Sequence, residues 1–279
     1  MAKKLLGPKT QELLELNDKG TWKPEMSNEE DMNVLNWLID ASRGRDRDAG
    51  TIAHVQVLLA LASVHTTLLR MVNVLYDLTE NGPELSKNIQ SEIDDVANSP
   101  PGWTNSAYDN LFMLDSVLRE SQRMSPPTTL GMKRYFKEPY TFENGIFIPK
   151  ETYACMATYA IENDPDHTTH PDAFDGLRAY RALIQSQQEG QEDRHAKDFL
   201  FSSTGRTVLN FGYGKTACPG RFFASLILKM VFVKLLSGYD FQFMDGKTRP
   251  SNYMIHEFLF CWPWQKVLVK SKKTDTCPF

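Results

Sequence analysis

The chain has no pair of cysteines spaced to share a metal ion. Its four, Cys155, Cys218, Cys261 and Cys277, include no Cys-x-x-Cys, so they read as reduced thiols in a cytosol-facing protein rather than as a disulfide frame. Positive charge is not in excess either. The formal net charge is −4, and nothing directs the chain to nucleic acid. The opening run Met1-Ala2-Lys3-Lys4-Leu5-Leu6 is basic and then apolar, but Gly7-Pro8 stops it far too soon for a signal peptide. The longest apolar run, Val55 to Val64, is interrupted by Gln56 and Ser63 and closed by His65-Thr66-Thr67. That run is too short to span a bilayer, so no membrane anchor is expected. Internal repeats are also absent.

What remains is an ordinary globular composition. With 279 residues, 41% hydrophobic and 24% charged, the chain suffices for one large domain or two small ones. Helical spacing predicts helices over residues 9–19, 31–42, 83–96, 105–124 and 222–236, with a long central one over about 52–78. The central helix is apolar nearly all round in its middle, which predicts burial. Its polar interruption, Ser63 with His65-Thr66-Thr67, then needs partners, such as back-bonds from a hydroxyl to the carbonyl one turn earlier. Strand character fills 128–160, with Asn144-Gly145 as a hairpin turn and a strand over 152–159. It returns over 239–269, with turns at Gly246 and Pro250. Residues 186–198 read as an exposed polar loop. His167 and His170 have ligand-like spacing but no third ligand nearby, and they read as surface histidines.

One stretch carries the chemistry: Phe211-Gly212-Tyr213-Gly214-Lys215-Thr216-Ala217-Cys218-Pro219-Gly220. Glycines allow positive φ and close approach of a flat ligand to the backbone. Pro219 suits the first turn of a helix, which places Cys218 at the N-cap, where free N–H groups favour a thiolate. Cys218 therefore reads as a thiolate ligand to iron; the plainer alternative is a buried structural cysteine in a glycine turn.

The complete pattern Phe-x-x-Gly-x-x-x-Cys-x-Gly resembles the haem-binding loop of the cytochrome P450 monooxygenases. Arg221-Phe222-Phe223-Ala224 and Ala62-Ser63-Val64-His65-Thr66-Thr67 look like the fungal, secondary-metabolism branch. Glu120-Ser121-Gln122-Arg123, followed by Ser125-Pro126-Pro127, resembles the family's Glu-x-x-Arg helix. Residues 171–178 resemble the motif that supplies its third partner, Arg178.

The resemblance implies a mainly α fold with small β-sheets (α+β), and a single partial domain over 1–279 corresponding to the family's C-terminal portion. The N-terminal half and anchor would be missing. The implied cofactor is haem b, iron protoporphyrin IX, with Cys218 as axial ligand of the iron and Phe211, Gly214, Gly220, Arg221 and Lys133 around the cofactor. Thr66 would steer protons to dioxygen, with Ser63 and His65 as assistants; His65 stands where the family usually has an acid. Glu120, Arg123 and Arg178 would lock the scaffold. Thr216 replaces the usual Arg or His that meets a haem propionate. Thr128 to Met132 and Phe258 to Cys261 are the implied substrate-contacting segments.

The implied partners are a hydrophobic small molecule, a terpenoid or other fungal secondary metabolite, with O2, and an NADPH-cytochrome reductase docking near Lys215 and Arg221. Family members sit on the cytosolic face of the endoplasmic reticulum membrane; without an anchor this chain is expected to be cytoplasmic or peripheral. The alternative is a truncated, catalytically silent member.

Overall fold

The computed structural model describes residues 2–25, 27–100, 102–190 and 196–272, and Cys277 lies outside them. The chain divides into two compact units, residues 1–66 and 67–279.

The first unit holds α1 (Ala2–Leu5), α2 (Gly7–Asp18), α3 (Val34–Ala41) and the first part of α4 (Ala49–Glu80). Pro8 sits in the first turn of α2, where its missing N–H is not needed. The Asn33 side chain caps α3 by accepting from the Asn36 N–H at 3.0 Å. Leu13, Leu14, Ile39 and Ile52 form this unit's core. Arg47 ties α2 down by donating to Asn17 Oδ1 at 2.7 Å and to Asp18 Oδ1 at 2.8 Å.

The α4 segment departs from expectation. Val57, Leu58, Leu59, Leu61 and Val64 are exposed, although the apolar pattern predicts burial. The pattern records what the helix is made of. Burial also needs another element laid against it, and among the described residues none covers this stretch. By length and composition alone, all of α4 is apolar enough to cross a membrane, which the run 55–64 is not.

The second unit adds α5 (Gly82–Asn98), α6 (Phe112–Met124), α7 (Thr158–Glu162), α8 (Arg178–Gln188) and α9 (Arg221–Gly238). Its strands are β1 (Gly131–Tyr135), β2 (Tyr140–Thr141), β3 (Phe147–Ile148), β4 (Tyr153–Met156), β5 (Tyr239–Phe243), β6 (Tyr253–Ile255), β7 (Phe258–Phe260) and β8 (Val267–Ser271). They pair antiparallel as β1–β4, β2–β3, β5–β8 and β6–β7. Gly145 turns the β2–β3 hairpin at φ +85°, as the Asn-Gly pair predicts.

Val74 of α4, Leu114, Val117 and Leu118 of α6, and Leu228, Phe232 and Val233 of α9 form the main core. Inside it Lys229 pairs with Asp115, whose other oxygen accepts from the Phe201 N–H at 3.1 Å. Burial pushes the Asp115 carboxyl up, and Lys229 opposes that rise.

Three sequence-based boundaries shift. The helix expected over 105–124 is a 3-10 turn at Asn105–Asn110 followed by α6. Lys229 Nζ donates to the Tyr108 carbonyl at 2.8 Å, the acceptor a continuous α-helix would offer to residue 112. The strand expected over 152–159 stops at Met156, because Thr158 opens α7 and donates its hydroxyl to the Thr129 carbonyl at 3.2 Å. The polar segment 186–198 is not all loop. α8 runs to Gln188 with Ser186 on its buried face, and residues 191–195 lie outside those described.

α6 has no capping side chain of its own. Glu92 of α5 fills the place, accepting from the Met113 N–H at 2.6 Å and the Leu114 N–H at 3.1 Å. Burial raises its carboxyl from 4.5 to about 7, against the pull of those two N–H groups. The folded group thus holds its proton more tightly than the unfolded one. Its contribution to stability is complete below about pH 4.5 and is lost as the pH climbs through about 7. Unfolding free energies of the wild type from urea titrations are expected to fall across that window, by on the order of 1–3 kcal/mol from this group. Glu92→Gln should flatten its part of the slope; an unchanged slope would assign the titration elsewhere.

Candidate functional site

The cysteine loop is built from its backbone outward. Leu209 is buried and anchors the entry, and the Gly212 N–H donates to its carbonyl at 2.8 Å. Gly212 has φ +74°, and a Cβ there would stand 3.3 Å from the Thr216 carbonyl oxygen, so the turn requires glycine. Gly214, at φ +62°, opens a short 3-10 turn through Thr216. The Cys218 N–H then donates to the Phe211 carbonyl at 2.7 Å and closes the loop. The Phe211 ring meets Phe201 edge-on at 5.2 Å and packs against the main core.

Cys218 itself is exposed, which removes the buried structural cysteine as a reading. It is not an N-cap: α9 begins at Arg221 with Gly220 in the cap position. Pro219 and Gly220 form a turn of their own ahead of the helix, because Gly220, not Cys218, supplies the first helical acceptor, to the Ala224 N–H at 2.8 Å. Nothing but Cys218 Sγ, at 3.9 Å, would meet a Cβ on Gly220. Arg221 donates to the Cys218 carbonyl at 2.8 Å and lies over the Phe222 ring.

Glu120, Arg123 and Arg178 come together. Arg123 donates to both Glu120 oxygens, at 2.9 and 2.6 Å, and Arg178 Nε approaches Glu120 Oε2 at 3.2 Å. The Asp175 N–H adds a bond at 3.0 Å. Arg123 also reaches the carbonyls of Pro171 and Ala173, at 2.6 and 3.0 Å, and Arg178 reaches that of Thr169 at 2.5 Å. A planar fork with five donors suits this bridging of α6 to the 169–178 segment.

β1 carries two neighbouring cations with different partners. Lys133 pairs with Glu257 in the β6–β7 turn and lies 5.7 Å from the Phe258 ring centroid. Its place is therefore against the hairpin. Arg134, which sequence reasoning passed over, donates to the Thr216 hydroxyl at 2.9 Å in the cysteine loop. The one signal available was that Thr216 is itself uncharged where a cation is usual. Thr128 bridges to Phe258, so the two segments named as substrate-contacting do adjoin.

Ser63, His65 and Thr66 are exposed on α4. The Thr66 hydroxyl donates to the Ala62 carbonyl at 2.6 Å and that of Ser63 to Leu59 at 2.8 Å, the back-bonding foreseen for this helix. His167 and His170 are exposed as expected.

The family model for cytochrome P450 matches residues 3–270. The chain belongs to the cytochrome P450 family. It is 35% identical over 240 residues to cytochrome P450 monooxygenase AN1598 of Emericella nidulans, covering 86% of this chain and 43% of that protein. It is 34% identical over 277 residues to cytochrome P450 monooxygenase terK of Tolypocladium album, covering 97% and 50%. An ent-kaurene oxidase of Gibberella intermedia is 34% identical over 243 residues, covering 86% and 45%. The chain thus spans about half the length of the curated relatives it matches.

A cytochrome P450 implies a haem iron, and the residues here fit one. Among the described residues no three His, Cys, Asp or Glu side chains converge on a metal position. A metal carried in a macrocycle needs only one protein ligand. Cys218 offers an exposed thiol, and the backbone before it turns at two glycines that carry no Cβ. Arg134 places a guanidinium beside Thr216, where an anionic edge would want one.

Proposed function

We propose that this chain holds haem b through Cys218 and belongs to a monooxygenase that oxidises a hydrophobic small molecule, a terpenoid or related secondary metabolite. The exposed thiol of Cys218 on a glycine-turned loop supports this reading most directly. An ent-kaurene oxidase among the relatives supports the substrate class. When bound, haem supplies oxygen activation and the oxidation of a C–H bond. The protein's share is ligation, orientation and proton supply. Cys218 would donate the thiolate, and Arg221 fixes the Cys218 carbonyl from the start of α9. Arg134 would meet a propionate in place of the missing cation at 216, with Lys133 held against the hairpin as its neighbour. Phe211, Gly214 and Gly220 shape the loop around the ligand. Thr66 would pass protons through its hydroxyl oxygen, helped by Ser63 and His65. Glu120, Arg123 and Arg178 hold the scaffold. A flavoprotein reductase would dock near Lys215 and Arg221.

The test is to titrate haem into the 279-residue chain, reduce it and add carbon monoxide. A red-shifted Soret band of the thiolate type is expected, and absence of haem uptake would overturn the reading. The exposed apolar stretch of α4, from Val57 to Val64, favours a second reading in which the chain is catalytically silent. Haem uptake without turnover of any hydrophobic substrate in the presence of reductase would select it.

A further inference from the structure

Glu162 stands at the C-terminal end of α7, 6% exposed, and its work is not explained by α7 alone. Its carboxylate accepts the side-chain N–H of Asn210, the residue just before Phe211. Three side chains therefore hold the entry to the cysteine loop. Leu209 is buried, Phe211 leans on Phe201, and Asn210 is held by Glu162. The Phe211 carbonyl, next in the chain, accepts the Cys218 N–H.

We propose that Glu162 is a positioning residue for the cysteine loop: by holding Asn210 it sets where the Phe211 carbonyl stands, and through that hydrogen bond where Cys218 stands. It acts through Asn210 and does not touch the thiol. That the loop carries a haem ligand rests on the proposed function; the strut itself rests on the geometry.

The charged groups facing Glu162 are Arg119, Arg123 and Glu120 from α6 and Arg70 from α4. Burial raises its carboxyl from 4.5 to about 7, while Arg119 and Arg123 oppose the rise. Loop opening that hydrates the carboxyl would return it toward its ordinary value. Closure is then most favoured when Glu162 is protonated, and it weakens as the pH climbs through about 7.

The test uses the full chain without added haem and measures amide hydrogen exchange over residues 209–218, as protection factors corrected for intrinsic rates. Wild type is expected to be about tenfold better protected at pH 6 than at pH 8. Glu162→Gln keeps an acceptor for Asn210 but cannot titrate. It should be equally protected at both pH values, and no worse than wild type at pH 8. Glu162→Leu should lose protection at both. Wild-type protection in Glu162→Leu, or a surviving pH dependence in Glu162→Gln, would overturn the proposal. If the leucine variant does not fold, the glutamine variant alone decides. No haem enters the measurement, so the strut stands or falls independently of the haem titration.

Discussion

Replacing Cys218 with alanine is expected to abolish the red-shifted carbon monoxide band completely while leaving the fold almost untouched. The thiol is exposed, and the bond that closes the loop comes from the Cys218 backbone N–H, which alanine retains. Surface substitutions of this kind change stability by about 0.5 kcal/mol or less. The spectroscopic effect and the stability effect should therefore separate cleanly. Urea unfolding of Cys218→Ala should overlay the wild type, while its reduced carbon monoxide spectrum lacks the thiolate band. Persistence of that band would mean that another group ligates the iron. A large loss of stability would mean that Cys218 is structural after all.

Glu120→Ala should do the reverse. Glu120 and Arg123 side chains are 3% and 4% exposed, and Glu120 is the only carboxylate paired with both Arg123 and Arg178 among the described residues. Removing it leaves a buried guanidinium without its counter-charge, which typically costs about 3–5 kcal/mol. Arg178, at 24% side-chain exposure, retains water and several carbonyls, so Arg178→Ala should be milder. Denaturant unfolding measures both. A change below about 1 kcal/mol for Glu120→Ala would show that the remaining carbonyl bonds to Arg123 carry the junction without the ion pair.

The Glu120–Arg123 pair shows how far sequence reading reaches. Spacing of three on a helix puts the two side chains on one face. It does not say whether that face meets water or Arg178, and only the motif around it pointed to burial. The α4 apolar run failed for the converse reason. Val57 to Val64 describe a surface that favours a cover, and periodicity carries no information about whether a cover is present. The cysteine loop was legible in its glycines because positive φ is a local demand, met here at Gly212 and Gly214. The N-cap of α9 was misplaced by two residues, at Cys218 instead of Gly220, since proline tolerates a turn as well as a first helical position. Asn210 with Glu162 and Thr216 with Arg134 were out of reach as pairs: they join residues 48 and 82 positions apart respectively, and the uncharged Thr216 signals a missing cation without naming the one that replaces it.

The two adjacent cations of β1 have a bearing on how the strand finds its alignment. The β1–β4 ladder is irregular between Gly131 and Arg134, so backbone pairing there defines the alignment weakly. Side chains alternate along a strand, and a slip by one residue exchanges the faces they present. A slip one way would offer Lys133 to the Thr216 hydroxyl but leave Met132 opposite Glu257, and a slip the other way would bring Arg134 to Glu257 but leave Tyr135 at Thr216, so either loses one of the two pairings. Lys133 and Arg134 thus act together as a two-toothed key: each is an ordinary surface cation by itself, and only one setting of the strand lets both engage.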